Sequence, residues 1–194
     1  MQHLIVATRN AHKTREIRRI LGADFAVSDL SAYPEAPETV ETGKTFEENA
    51  VLKATTASRQ LPGLVVADDS GLEVDALGGA PGIYSARYAG QNATDKQNID
   101  ELLAELARIE RAKRSARFCC VIALAREGKL LGTFEGVVEG MIVDSPRGRG
   151  GFGYDPVFMP TEFGKTFGQL SPTEKDQVSH RARALEKLRV RLSS

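Results

Sequence analysis

Buried strands and amphipathic helices alternate along this chain. Continuous apolar runs of strand length occur at Leu4–Ala7, Leu64–Ala67 and Phe118–Ala125. Turn residues at 127–129 follow the third run and lead into a partner strand over 130–142. Because the strands alternate with helical segments and two of them form a hairpin, the pattern predicts an α/β fold with an antiparallel portion in a mixed sheet.

Three capping boxes mark helix starts, at Thr45–Glu48, Thr94–Gln97 and Ser171–Glu174. Apolar side chains recur with helical spacing beyond each of them. If the last helix restarts with Ser179 as its cap, His180 and Arg181 lie on an exposed helix N-terminus and point donors at a ligand.

Composition narrows the classes of protein and partner. The 194 residues allow one domain over 1–194, with room for two lobes. The 26 basic and 26 acidic residues cancel, which argues against a nucleic-acid polymer as the main partner. The first apolar run is too short for a signal peptide, and no run is long enough to span a bilayer, so we expect a soluble cytoplasmic protein with no membrane partner. Cys119 and Cys120 read as free core thiols, and the scattered histidines make a zinc site improbable.

Two adjacent carboxylates, Asp68 and Asp69, come directly after the buried run Leu64–Ala67, with Ser70 and Gly71 next. Carboxylates held together away from water are unfavourable unless a cation joins them, and a hard divalent metal would do so. We expect Gly71 to turn the chain sharply at the strand end, where α/β sheets bind ligands. The alternative is an ordinary solvated turn.

Further polar clusters lie between the predicted elements. The corner over Thr8–Lys13 offers free backbone N–H groups and the Lys13 charge to an anion. Glu41 adds an oxygen ligand of the kind that Mg²⁺ takes. Lys53 and Lys175 are candidates for phosphate charge, unless they are solvated helix faces. Phe152–Asp155 offers aromatic faces beside an acceptor for a base, unless those rings pack in the core.

Two phosphate-binding motifs are only formally present. The Gly148–Gly153 segment fits G-x-G-x-x-G, but a strand-like stretch follows it where the dinucleotide fingerprint needs a helix. Both Gly-Lys-Thr triplets, at 43–45 and 164–166, lack the leading glycine of a P-loop. Neither motif predicts a site.

Seven motifs, in this order, resemble those of the inosine/xanthosine triphosphate pyrophosphatases. They run from the first strand to the last helix: Thr8-Arg9-Asn10-x-x-Lys13, Glu41-Thr42-Gly43, Thr45-Phe46-x-Glu48-Asn49-Ala50, Ala67–Leu72, Pro81–Gly90, Gly151–Pro156 and Ser179-His180-Arg181. The resemblance implies an elongated two-lobed α/β fold around a mixed twisted sheet flanked by helices, an active-site cleft between the lobes, and a homodimer. It also implies Mg²⁺-dependent hydrolysis of ITP, dITP and XTP to the monophosphate and pyrophosphate, which removes deaminated purines from the nucleotide pool.

The resemblance also assigns roles. Glu41 and Asp69 would bind magnesium, and Asp69 would be the general base, although the sequence does not separate it from Asp68. The triphosphate would contact Thr8, Arg9, Asn10, Ala11, His12 and Lys13. The nucleotide would further contact Ser70, Phe152, Gly153, Tyr154, Asp155, Lys175, His180 and Arg181. The chemistry of the bases adds one expectation: donors from Arg181, His180 or nearby backbone N–H groups would bond to the O6 acceptor of hypoxanthine and xanthine, and adenine would leave them unpaired.

Two other functions fit parts of the same pattern. A pyrophosphatase for pyrimidine or methylated nucleotides would keep the phosphate and metal residues and change the base pocket. A non-enzymatic nucleotide-binding module would keep the Thr8–Lys13 corner and the aromatic segment, but it would have no need of three carboxylates that can bind metal.

Overall fold

The computed structural model describes residues 2–36 and 39–193. Within them the strands are β1 (Gln2–Val6), β2 (Phe25–Asp29), β3 (Leu64–Val74), β4 (Ser115–Arg126), β5 (Lys129–Ile142) and β6 (Phe158–Pro160). The α-helices are α1 (Ala11–Leu21), α2 (Phe46–Ser58), α3 (Asp95–Glu105), α4 (Pro172–Val178) and α5 (His180–Ser193). No helix in these ranges is long and apolar enough to cross a membrane.

The six strands form one mixed sheet in the order β2-β1-β3-β4-β5-β6. β1 runs parallel to both neighbours, with Leu4 opposite Leu64 in β3, and β5 runs antiparallel to β6. The predicted α/β class and mixed sheet are therefore confirmed. β2 was not predicted, because its short Phe-Ala-Val-Ser-Asp segment has neither a long apolar run nor strict alternation.

The chain divides into two compact units, and β3, β4 and β5 each contribute residues to both. The first unit includes the described residues up to Asp69, Cys120–Gly136 and the last helix from His180. The second comprises Ser70–Cys119 and Val137–Ser179. The single domain, the elongated shape and the cleft between lobes stay predictions.

The core of the first unit lies where α1 and α5 pack on the strands. It includes Leu4, Ile17, Ile122 and Leu185, all almost fully buried. Gly136 in β5 allows α5 to begin close by, because a Cβ at this position would lie 2.0 Å from the carbonyl oxygen of His180.

The core of the second unit is aromatic. The ring of Phe118 lies 4.7 Å from that of Phe158 and 5.9 Å from that of Phe167, centroid to centroid. Leu72 and Val74 from the end of β3 join the same cluster, together with Leu102 from α3. These residues fix the second half of β3 inside a packed core.

One prediction about β3 is wrong. Asp68, Asp69 and Gly71 lie inside this strand, which continues to Val74 instead of turning at Gly71. The pairing of β3 with β1 covers Leu64 to Val66, so the aspartates follow the end of that pairing but not the end of the strand. Alternating burial of Leu72 and Val74 explains the continuation, because both side chains enter the second core.

The predicted helix starts hold with one adjustment. Thr94 and Ser171 both form complete capping boxes. At the start of α2, Thr45 accepts from the backbone N–H of Glu48, whereas the Glu48 carboxylate accepts from Lys44 and not from Thr45. Ser179, with extended backbone, separates α4 from α5, so the predicted restart of the last helix is confirmed.

Candidate active site

An ion pair joins the β1–α1 corner to β3. The Lys13 Nζ lies 3.1 Å from Oδ1 of Asp68. Asn10 fixes the start of α1, because its side chain accepts from the backbone N–H groups of His12 and Lys13. These two N–H groups, expected to be free for an anion, are thus already bound, and the attraction of this corner for phosphate rests mainly on the Lys13 charge.

Asp68 also pairs with Arg181 from the first turn of α5. The guanidinium donates from Nε at 3.2 Å and from Nη2 at 2.8 Å to the same carboxylate oxygen, Oδ2 of Asp68. Its Nη1 donates to Glu16 of α1. All three side chains are buried. One arginine therefore links α1, β3 and α5 in a region with little solvent to screen the charges.

These cations decide the protonation state of Asp68. Burial opposes ionisation of the carboxyl, but the charges of Lys13 and Arg181 outweigh it and hold the pKa of Asp68 well below its usual range. The Arg181 pKa is raised in turn, because the nearby carboxylates outweigh the effect of burial. The lowered pKa makes Asp68 a poor proton acceptor at neutral pH.

Asp69 takes different partners. The Lys53 Nζ, from α2, lies 2.8 Å from Oδ1 of Asp69 and 2.7 Å from Oε1 of Glu41. Asn49, also from α2, donates at 3.3 Å to the other oxygen of Asp69 and accepts at 2.8 Å from the backbone N–H of Gly43. Asn49 thereby ties the segment that carries Glu41 to the strand that carries Asp69.

The two aspartates differ in proton affinity. Burial raises the pKa of Asp69, and the Lys53 charge offsets only part of that effect. For Lys53 itself, burial opposes the charge, but Asp69, Asp68 and Glu41 outweigh it and raise its pKa. A carboxylate whose pKa moves towards neutrality accepts a proton more readily, so Asp69 suits a general base better than Asp68 does.

Glu41 and Asp69 could hold a magnesium ion. One ammonium group already lies within hydrogen-bonding distance of an oxygen from each, which shows that the pair can share a cation. Among residues 2–36 and 39–193, no cluster of three or more His, Cys, Asp or Glu side chains is arranged to hold a metal. Two carboxylates still fit Mg²⁺, which commonly takes one or two from the protein and completes its shell with water and substrate phosphates.

The remaining residues of the 8–13 segment have structural contacts. The guanidinium of Arg9 donates to the backbone carbonyls of Leu30 and Ala36. Thr8 accepts through its hydroxyl from the N–H of Asn10, and Ala11 opens α1. His12 is exposed, and its ring contacts Arg15. Contacts of these residues with a triphosphate stay predictions.

A separate polar cluster lies in the second unit. The Lys175 Nζ is 2.5 Å from Oδ2 of Asp155, and both side chains are buried. The same Nζ lies 4.9 Å from the centroid of the Phe152 ring, in a cation–π contact. Lys175 is therefore no solvated helix face. Phe152 keeps part of its surface exposed, so a planar ligand could reach its ring.

Other members of this predicted pocket are engaged in packing. The Tyr154 side chain belongs to the aromatic core, and its hydroxyl donates to the carbonyl of Ser85. The backbone N–H of Gly153 donates to Asp95. Ser70 is partly exposed in β3. Core packing, the alternative considered for the aromatic residues, thus applies to Tyr154 and less to Phe152.

The expectation of an exposed pair at the start of α5 is wrong. His180 and Arg181 are 4% and 1% exposed. The reason is the carboxylates of Asp68 and Glu16, which draw the guanidinium inward. Glu16 and Asn49 were not among the predicted site residues. The one sign in the sequence is that each is a polar residue at a helix position that faces inward, and this sign is clear only once the structure is known.

A comparison with protein families identifies the chain. The model of the Ham1 family matches residues 4–191. The chain belongs to the Ham1 family. The predicted resemblance is thereby confirmed at the level of the family.

Individual relatives agree over nearly the full length. The chain is 51% identical to the dITP/XTP pyrophosphatase of Geobacillus kaustophilus (strain HTA426), over 97% of this chain and 93% of the relative. It is 47% identical to the dITP/XTP pyrophosphatase of Bacillus subtilis (strain 168), over 97% and 96%.

Solved Ham1 structures share the fold. The Ham1 protein of Staphylococcus aureus matches with a TM-score of 0.87 at 43% identity, over 99% of this chain and 98% of the other. A HAM1 protein from Coxiella burnetii matches with a TM-score of 0.88 at 41% identity, over 100% and 99%.

Proposed function

We propose that this protein hydrolyses the non-standard purine nucleotides dITP, XTP and ITP to the monophosphate and pyrophosphate in a Mg²⁺-dependent reaction. The chain is a nucleoside triphosphate pyrophosphatase, because it belongs to the Ham1 family and its relatives are named dITP/XTP pyrophosphatases. The observation that carries this proposal is the partly buried group of Lys13, Lys53, Asp68, Asp69 and Glu41, in which cations that could bind phosphate lie beside carboxylates that could bind metal.

Glu41 and Asp69 would hold the magnesium ion. Bound there, Mg²⁺ would neutralise the negative charge of the phosphate oxygens, which otherwise repels an attacking water. Asn49 keeps the two carboxylates close, because it bonds to Asp69 and to the backbone at Gly43, two residues beyond Glu41.

Asp69 would orient the water and accept its proton. Its burial raises the pKa and so favours proton uptake. Asp68 would instead hold Lys13 and Arg181 in place, since both cations contact it directly. The pair of aspartates thus divides into a base and a counter-ion.

Lys13 would bind the outer phosphates. Its side chain keeps some exposure, 17%, whereas that of Arg181 is 1% exposed, so Lys13 is the more accessible of the two cations on Asp68. A cation on the β- and γ-phosphates stabilises the charge that develops on pyrophosphate as it leaves.

Base binding would rest on the second polar cluster. Phe152 would stack on the purine, and Lys175 would donate to an acceptor on its edge, with Asp155 holding the ammonium in place. An O6 acceptor is present in hypoxanthine and xanthine, whereas adenine carries an amino donor at that position. A buried donor left unpaired costs about 1 to 3 kcal/mol, which disfavours ATP.

A substrate panel tests this proposal and separates it from a pyrophosphatase for pyrimidine or methylated nucleotides. We expect pyrophosphate release from dITP, XTP and ITP with Mg²⁺, at rates at least tenfold above those with ATP, GTP or modified pyrimidine nucleotides. A higher rate with any nucleotide of the second group would contradict the proposed specificity, and nucleotide binding without turnover would indicate a non-enzymatic module. Homodimer formation and a cytoplasmic location stay predictions.

A further inference from the structure

The ammonium of Lys53 occupies the position between the two carboxylates that would hold the metal. It donates to Glu41 at 2.7 Å and to Asp69 at 2.8 Å. Both contacts are strong by distance, and the lysine side chain is only 12% exposed. One ligand oxygen on each carboxylate is therefore already bound to a cation supplied by the chain.

Charge near this position is already close to balanced. Three cations, Lys13, Lys53 and Arg181, contact four carboxylates, Asp68, Asp69, Glu41 and Glu16. A divalent ion entering without an accompanying anion would turn a small negative excess into a positive one. It would also lie close to the Lys53 ammonium, and like charges in a partly buried region repel with less screening than at the surface.

A triphosphate changes both conditions. It brings several negative charges, which offset those of the ion, and it offers phosphate oxygens as new acceptors for the ammonium. Lysine suits such a transfer, because its charge sits on a flexible four-carbon stem with three donors that can re-aim.

We infer that Lys53 competes with Mg²⁺ for Glu41 and Asp69. Its ammonium keeps these carboxylates from binding the metal until a nucleoside triphosphate draws the ammonium away. This inference rests on the proposed function of the site. Its consequence is ordered binding, in which the free protein has low affinity for Mg²⁺ and the nucleotide-bound protein has high affinity. Lys53 would then contribute to catalysis and oppose metal binding in the free enzyme.

Calorimetry of Mg²⁺ binding to the nucleotide-free protein tests the inference. We expect Lys53→Met to bind Mg²⁺ at least tenfold more tightly than the parent chain, and Lys53→Arg, which keeps the charge, to gain less than threefold. Lys96→Met is the matched control, because it removes an exposed lysine whose ion pair with Asp100 lies at the surface. Equal or weaker Mg²⁺ binding by Lys53→Met would overturn the inference.

A measurement on the parent chain keeps the test decisive if Lys53→Met does not fold. With ¹³Cε-labelled lysine, the Lys53 signal is assigned by its loss in Lys53→Arg. Millimolar Mg²⁺ alone should leave it in place, whereas Mg²⁺ with an α,β-imido triphosphate analogue should shift it. A shift of equal size with Mg²⁺ alone would overturn the inference. If this inference is wrong and the proposed function is right, the binding tests fail but pyrophosphate is still released. If the proposed function is wrong, no nucleotide yields pyrophosphate.

Discussion

Arg181 and Asp68 form a buried ion pair between residues 113 positions apart in the sequence. Both side chains are 1% exposed, and the same guanidinium also binds Glu16. Asp68 thus differs in its partners from the adjacent Asp69, which contacts Lys53 and Asn49. Adjacent aspartates in one strand therefore have different chemical environments, because successive side chains of a strand point to opposite faces.

The first prediction is that replacement of Asp68 by asparagine mainly lowers stability, whereas replacement of Asp69 mainly lowers activity. Asp68→Asn should lose about 3 to 5 kcal/mol of unfolding free energy, because it leaves Arg181 and Lys13 without a buried counter-charge. Asp69→Asn should keep most of its stability and lose about 100-fold or more in kcat. Urea unfolding followed by circular dichroism and steady-state kinetics measure the two effects. The reverse pattern would exchange the roles of the residues.

The second prediction concerns stability at low pH. The pKa of Asp68 is lower in the folded chain than in the unfolded one, so its stabilisation is fully present above the unfolded pKa, near 3.9, and is lost as pH falls below it. One such group adds a slope of up to about 1.4 kcal/mol per pH unit in that range. Unfolding free energies between pH 5 and 3 should fall less steeply for Asp68→Asn than for the parent.

The exposed carboxylate Asp100 provides the control for this slope. Its ion pair with Lys96 lies at the surface, where such pairs contribute little. Asp100→Asn should follow the parent curve within error. A parent-like slope for Asp68→Asn would show that Asp68 is not the group that is held ionised.

The third prediction is that Asn49 positions Glu41. Asn49→Ala removes the bonds to Gly43 and Asp69, and the loss of these two hydrogen bonds should cost about 1 to 3 kcal/mol of unfolding free energy. With the Glu41 segment loosened, the Mg²⁺ concentration for half-maximal activity should rise several-fold, while the KM measured at saturating Mg²⁺ changes little. A variant that loses stability but keeps its Mg²⁺ dependence would reduce Asn49 to a purely structural role.

The fourth prediction is that Arg181 acts on the reaction through Asp68. Its guanidinium donates hydrogen bonds to Asp68 and to Glu16. Arg181→Lys should therefore lower kcat/KM for dITP and for dATP by similar factors, with the ratio between them changed less than threefold. A collapse of that ratio would instead support the role in O6 recognition that was expected of Arg181 from the sequence.

Lys175→Met is the matched comparison for base recognition. The ammonium lies beside Phe152 and Asp155 in the second unit, so its removal should reduce the dITP-to-dATP ratio at least tenfold. Equal ratios for the parent and this variant would remove Lys175 from the proposed base pocket.

The sequence predicts those parts of the molecule that depend on local order. Residues within one helical turn of each other are enough to predict the helix caps at Thr94 and Ser171, the hairpin turn at 127–129 and the corner that carries Lys13. The continuation of β3 past Gly71 does not, because it depends on a second core to which distant helices contribute.

Long-range pairing explains the remaining differences in the site. Arg181 appeared suited to an exposed helix end, and only the approach of α5 to β3 and α1 brings Asp68 and Glu16 to it. Likewise, no local pattern indicates that Lys53 lies between Glu41 and Asp69, which come from separate segments. The residue types were predictable, whereas the pairing of charges required the fold.

Product analysis by ³¹P NMR tests the central claim most directly, with dITP as substrate in the presence and absence of Mg²⁺. If Lys13 and the metal-binding carboxylates act on the outer phosphates as one leaving unit, the monophosphate and pyrophosphate should appear together in equal amounts, and only with Mg²⁺. Formation of dIDP with release of orthophosphate, or equal rates after complete removal of divalent metal, would contradict the account.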